Sequence, residues 1–139
     1  MPRKCSDRNK KLSRREMRDL EVKITFIEGV VRRDPKFIEA LQILGDHYTQ
    51  RGKYEHSLKV DQQLSQLEPR NPLVFYNLAC SYSLTRQLRR SADALGQAID
   101  RGYRNYRFLL KDPDLVNLRR HAVFKRVQAK MRTLAVIFG

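Results

Sequence analysis

Laid on itself with Leu41 over Phe75, the sequence repeats, and this self-similarity restricts the fold more than any other feature. In the same alignment Leu44 falls on Leu78, Gly45 on Ala79 and Tyr48 on Tyr82. Further on, Ser57 falls on Ser91, Leu58 on Ala92 and Leu64 on Ala98. Within the first copy, Leu41, Leu44 and Tyr48 stand at i, i+3 and i+7, one stripe of a helix. Gly45 lies on that stripe without a side chain, which lets a second helix approach closely. Gly52 and Lys53 turn the chain. Tyr54, Ser57, Leu58 and Leu64 then give the second helix its apolar side, with small Ser57 at the crossing. Pro69 cannot continue a helix and ends the copy. A single helix pair of this kind cannot bury both faces, so copies must stack.

A helix, a tight turn, an antiparallel helix and a proline, recurring every ~34 residues, resemble the tetratricopeptide repeat (TPR). The residues that carry the resemblance are Leu41, Leu44-Gly45, Tyr48, Tyr54 and Pro69, and the period extends it over most of the chain. The resemblance implies an all-α fold, a right-handed superhelix of antiparallel hairpins. In that frame residues 1–12 are a flexible basic tail and 13–35 a capping helix. Residues 36–102 hold two repeats, 38–71 and 72–105 in register, and 103–139 a degenerate closing segment with a final basic helix.

Ser13 and Glu16 form a helix-start pattern, and Leu20, Ile24, Ile27 and Val31 a stripe behind it, with Phe26 and Val30 beside it. Val30 and Pro35 stand one period before Leu64 and Pro69, so this helix reads as the second half of a repeat. Helices are predicted at about 37–50, 54–67, 72–84 and 88–101, with Asn71-Pro72 as a cap and first-turn proline. In the second copy the turn glycine is lost to Arg86, and Leu88 replaces Tyr54. Gly102 ends the last regular helix. The order Gly102-Tyr103, Asp112-Pro113-Asp114-Leu115, Leu118-Arg119 and Phe124 is similar to the segment that closes many bacterial TPR proteins. A final helix, about 121–135, carries Val123, Val127 and Met131 on one side. Leu134 to Phe138 form an apolar tail expected to pack on the body.

The net charge is +14, unevenly placed. Residues 1–20 carry +5, 21–71 zero, 72–101 +2 and 102–139 +7. Basic ends suggest acidic partners, protein or nucleic acid, against the plainer reading of a solvated surface. No stretch approaches the ~20 apolar residues of a membrane span. The basic start has no apolar segment behind it, unlike a secretory signal. Cys5 and Cys80 lie far apart, and two reduced thiols suit a cytoplasmic protein.

The sequence contains no catalytic constellation, and no cofactor or metal is expected. His47, His56 and His121 lack metal-ligand spacing and read as surface or satisfied helix residues. Asp112 reads as a helix cap and Asp114 as an exposed first-turn acid. Cys80 reads as a small packing residue.

Binding is the stronger expectation. In TPR proteins first-helix residues between the packing positions line a concave groove. The resemblance therefore implies a groove of Glu39, Gln42, Ile43, Asp46, Thr49 and Gln50, with Leu73, Tyr76, Asn77, Cys80 and Leu84 from the second copy. Arg107 and Lys111 follow Leu73 and Asn77 by one period. Asn77, Arg107 and Lys111 look like part of the carboxylate clamp by which some TPR domains hold an acidic C-terminal peptide. Gln42 and Asp46 depart from that clamp, and Asp46 would repel such a peptide. A second set is basic: Arg101, Arg104, Arg119, Arg120, Lys125, Arg126 and Lys130, with Tyr103, Tyr106 and Phe108 interleaved, a composition suited to phosphate and bases. The function expected is a non-enzymatic protein-interaction adaptor holding a peptide or helix, acting as a monomer or weak homodimer. A nucleic-acid- or ribosome-associated module, or a secretion or assembly chaperone, are the alternatives.

Overall fold

The computed structural model describes residues 11–138, with side chains to residue 134. Residues 1–10 of the expected basic tail 1–12, with Cys5, and the side chains of the apolar tail beyond Leu134 lie outside the described residues. The described residues are all-α, without strands. They divide into two compact units, one running to Pro69 and one from Arg70.

The first unit holds α1 (Arg14–Arg33), α2 (Ile38–Arg51) and α3 (Tyr54–Leu67). Ser13 caps α1, its hydroxyl accepting the Glu16 N–H at 3.1 Å. Asp34, before Pro35, leaves the helix at φ −136°, where the proline ring forces an extended residue. Leu20 and Ile24 are the buried residues of α1, whereas Phe26 is 70% exposed. Ala40, Leu41, Leu44, Gly45, Tyr48 and Thr49 are buried in α2. Ser57, Leu58, Val60, Asp61 and Leu64 are buried in α3. At the α2–α3 crossing the Ser57 hydroxyl reaches the Gly45 carbonyl at 3.3 Å and the Thr49 hydroxyl at 2.8 Å. Between α1 and α2, Tyr48 donates to Glu28 Oε2 at 2.5 Å. Arg51 pairs with Glu21 nearby.

The second unit holds α4 (Pro72–Leu84), α5 (Leu88–Asp100), α6 (Tyr106–Leu109), a 3₁₀ turn (Pro113–Leu115), α7 (Val116–Arg119) and α8 (Phe124–Phe138). Asn71 caps α4 by accepting the Leu73 N–H at 3.0 Å. The α4–α5 core is Val74, Phe75, Leu78, Ala79, Ala92, Leu95, Ala98 and Ile99, all buried. The final helix starts at Phe124 rather than 121 because His121 Nδ1 accepts the Val123 N–H at 3.0 Å and holds a turn there. It packs on α5 and buries Val123, Phe124 and Val127. Lys130 ties it to Asp100 at 2.8 and 2.9 Å.

Local geometry recurs at the sequence period. Gly52 has φ +84° and its counterpart in the second copy, Arg86, has φ +61°. The Lys53 N–H bonds the Tyr48 carbonyl at 2.8 Å, and the Gln87 N–H bonds the Tyr82 carbonyl at 2.8 Å. The Ser91 hydroxyl bonds the Ala79 carbonyl at 2.7 Å, as Ser57 bonds Gly45. The loss of the turn glycine in the second copy therefore does not alter the turn. Arg86 takes the left-handed conformation that the Leu84–Leu88 connection requires.

That conformation costs an L-residue roughly 1–2 kcal/mol. Gly52→Ala is expected to destabilise the chain by about 1 kcal/mol, and Arg86→Gly to stabilise it by up to about 1 kcal/mol, the greater backbone freedom of glycine offsetting part of the gain. Urea midpoints at unchanged slope measure both. A lower midpoint for Arg86→Gly would remove the strain argument.

Candidate functional site

A buried polar cluster is built by the closing segment on α4. Asp112 ends the loop after α6 and caps the 3₁₀ turn, its Oδ1 accepting the Asp114 N–H at 2.9 Å. Its Oδ2 accepts the Tyr76 hydroxyl at 2.6 Å, and the Cys80 thiol lies 3.7 Å away. Arg119 donates from Nη1 to the Leu109 and Asp112 carbonyls at 2.9 and 2.6 Å. Tyr103 stacks on Tyr76 with centroids 4.4 Å apart. Ser83 of α4 holds α7: its carbonyl accepts from Asn117 at 3.1 Å and its hydroxyl accepts the Leu118 N–H at 3.3 Å.

Burial decides what this cluster can do. Tyr76 is 0%, Asp112 1%, Asp114 2% and Cys80 3% exposed. Burial, with Cys80 and the Asp112 carboxyl adjacent, pushes the Tyr76 hydroxyl well above its ordinary value, so it stays a donor. Cys80, Asp112 and Asp114 place ligand atoms within 4.8 Å of one another, the donor types of a small metal site. Both oxygens of Asp112 already face donors from Tyr76 and Asp114, which is how a carboxylate serves as a structural anchor. The cluster fastens the closing segment to α4 and is closed off from solvent.

Several sequence expectations change accordingly. Tyr76 and Cys80 are core residues and cannot line a groove. Asp114 is buried rather than an exposed first-turn acid, because the 3₁₀ turn carries it inward. Thr49 is 5% exposed, bonded to the Gly45 carbonyl and Ser57. The remaining candidates are accessible: Gln42, Arg107 and Lys111 are exposed, Asp46, Leu73 and Asn77 half-buried. Ile43, beside Gln42 on α2, is 43% exposed.

The basic set also divides. The Arg101 guanidinium lies 4.1 Å over the Phe75 ring. Arg104 bonds the Ile99 and Tyr103 carbonyls, each at 2.8 Å. Arg119 and Lys130 are committed as described. Arg120, Lys125 and Arg126 are exposed and join Arg107 and Lys111 as cations with no ion pair to a described residue. Of the interleaved aromatics, Tyr103 is buried and Phe108 packs near Tyr76 at 6.1 Å. Tyr106 turns its hydroxyl inward. Sequence spacing gave no sign of the Arg104 and Arg119 commitments, because their acceptors are main-chain carbonyls.

His47 is half-buried, with Nδ1 sealed from solvent and unbonded among the described residues. Burial and then Lys23 lower its pKa, against the opposing pull of Asp46 and a Gln50 hydrogen bond. It is neither a surface nor a fully satisfied histidine, because α1 brings Lys23 up to it.

No family model matches the chain. It is similar to a chloroplastic protein of Arabidopsis thaliana, 30% identical over 100 residues, which is 70% of this chain. The chain spans 28% of that protein's length.

Two outcomes follow from the site. Tyr76→Phe is expected to cost about 1–3 kcal/mol by taking a donor from buried Asp112, read by urea unfolding. A neutral effect would mean the pair does not anchor the closing segment. For His47, the folded pKa lies below the unfolded value near 6.5, so the unfolded chain binds the proton better. Stability is complete above about pH 6.5 and falls as pH drops toward the folded pKa. Melting curves between about pH 7 and 5 should show this decline, and His47→Gln should flatten it.

Proposed function

We propose that this chain is a non-enzymatic, TPR-type interaction module that holds a peptide or helix of a partner protein against the outer face of α2. The observation that carries the reading is the recurrence of one hairpin geometry at the repeat offset, in the turns at Gly52 and Arg86 and the hydroxyl bonds of Ser57 and Ser91. Such hairpins expose first-helix residues between the packing positions. On α2 these are Gln42 and Ile43, with Asp46 beside them. Exposed Ile43 offers an apolar anchor, and the neighbouring polar groups fix register. Asn77, Arg107 and Lys111 of the second unit suit an acidic group on a partner. The similarity to a chloroplast protein covers a quarter or so of that protein and carries no activity across. Cytoplasmic placement remains our reading of the thiols. Among the described residues no helix is long and apolar enough to cross a membrane.

The five uncommitted cations favour a second reading, electrostatic binding of RNA, whose strength falls steeply with salt. One experiment separates the two. The chain is used as bait in its native extract with and without nuclease, beside Ile43→Asp. A protein retained after nuclease and lost with Ile43→Asp, with the variant's melting curve unchanged, is the expected result. A partner set indifferent to Ile43 would exclude the α2 face, and one dispersed by nuclease would establish the second reading.

A further inference from the structure

The outer side of α1 has the chemistry of a covered surface. Val22 and Phe26 are 69% and 70% exposed, one helical turn apart. Gly29 continues the stripe, and a Cβ there would meet nothing within 4 Å. A glycine inside a helix costs about 1 kcal/mol relative to alanine, and no group among the described residues uses the room.

The third helix shows most of the same side occupied, with His56 alone of the three counterparts exposed. One period after Val22, Phe26 and Val30 stand His56, Val60 and Leu64. The His56 ring lies 5.1 Å from Tyr48 of α2, and the Ser57 hydroxyl reaches Gly45 of α2. On that side Val60 is 7% and Leu64 3% exposed. The helix α1 meets α2 from a different side, through Glu21 and Glu28. Its counterpart of the α2-facing side of α3 is open.

Charge selects the occupant. Arg15, Arg18, Lys23 and Arg33 are exposed around the stripe, with Glu16 and Asp19 the exposed acids of the same helix. Residues 1–10 of the chain hold four basic residues and one acidic, a sequence that offers no complementary net charge. A second copy would bring the same cations against one another. We propose that the Val22–Phe26–Gly29 face of α1 docks an amphipathic helix of another protein. That helix carries an apolar stripe flanked by Asp and Glu and packs on α1 much as α2 packs on α3. A large apolar side chain of the partner fills the space over Gly29, and its carboxylates meet Lys23 and the arginines. This surface is separate from the outer face of α2.

Two synthetic helices with the same leucine stripe, one flanked by Glu and one by Lys, test the proposal by fluorescence anisotropy against the full chain. The Glu helix should bind and the Lys helix should not. Phe26→Ala should weaken binding about tenfold or more, with melting unchanged because the side chain is exposed. Gly29→Leu should weaken binding likewise while melting holds or rises, since a glycine inside a helix is replaced. Ile43→Asp should bind as the parent does, so this result stands or falls independently of the α2 face. Absence of saturable binding by the Glu helix, or equal binding by Phe26→Ala, would overturn the proposal. So would sedimentation showing a dimer of the chain that Phe26→Ala dissolves, or RNA binding that depends on the same residue.

Discussion

The close crossing of two helices is the constraint from which the rest of each hairpin follows. Where α2 meets α3, and α4 meets α5, one helix presents a carbonyl over a residue with little or no side chain, Gly45 or Ala79. The other presents a serine hydroxyl that satisfies it. A larger side chain at either place would push the axes apart and lengthen that bond. Once the crossing is set, the connection has few options. The chain must reverse within a few residues, which requires a left-handed residue, and the N–H after it caps the preceding helix.

This explains which parts of the fold were legible in the sequence. The small residues, the period and the prolines report directly on backbone geometry, so helix positions could be read within a residue or two. The boundary at Arg86 shows why residue identity is weaker than pattern. An arginine in place of glycine suggests a different turn, yet the surrounding helices impose the same one. The error at the final helix was of another kind. A side-chain bond from His121 to the Val123 N–H stops the helix from starting earlier, and no periodicity encodes it.

The candidate site was much less legible. The resemblance to the repeat implies a groove-lining place for Tyr76 and Cys80, which would hold if α4 had solvent there. Instead the closing segment folds onto that face, and Asp112 takes up the Tyr76 hydroxyl. The contact joins residues 36 positions apart, outside the reach of local pattern. The cations show the converse limit. Arg104 and Arg119 look like ligand-binding groups by composition, but each is satisfied by backbone carbonyls of its own unit. What remained readable were exposed positions such as Gln42, Ile43, Arg107 and Lys111, where little competes for the side chain.

The attachment of the last helix has a consequence for the dynamics of the second unit. Three apolar residues near its start, Val123, Phe124 and Val127, are buried, and the Lys130–Asp100 pair beyond them is partly exposed to water. Ions in solution weaken such a pair, while leaving the apolar contacts intact. The turn of α8 around Lys130 can therefore loosen from α5 without the α4–α5 core opening. Amide protons there would exchange by a local, salt-responsive fraying with its own low free energy, distinct from global unfolding.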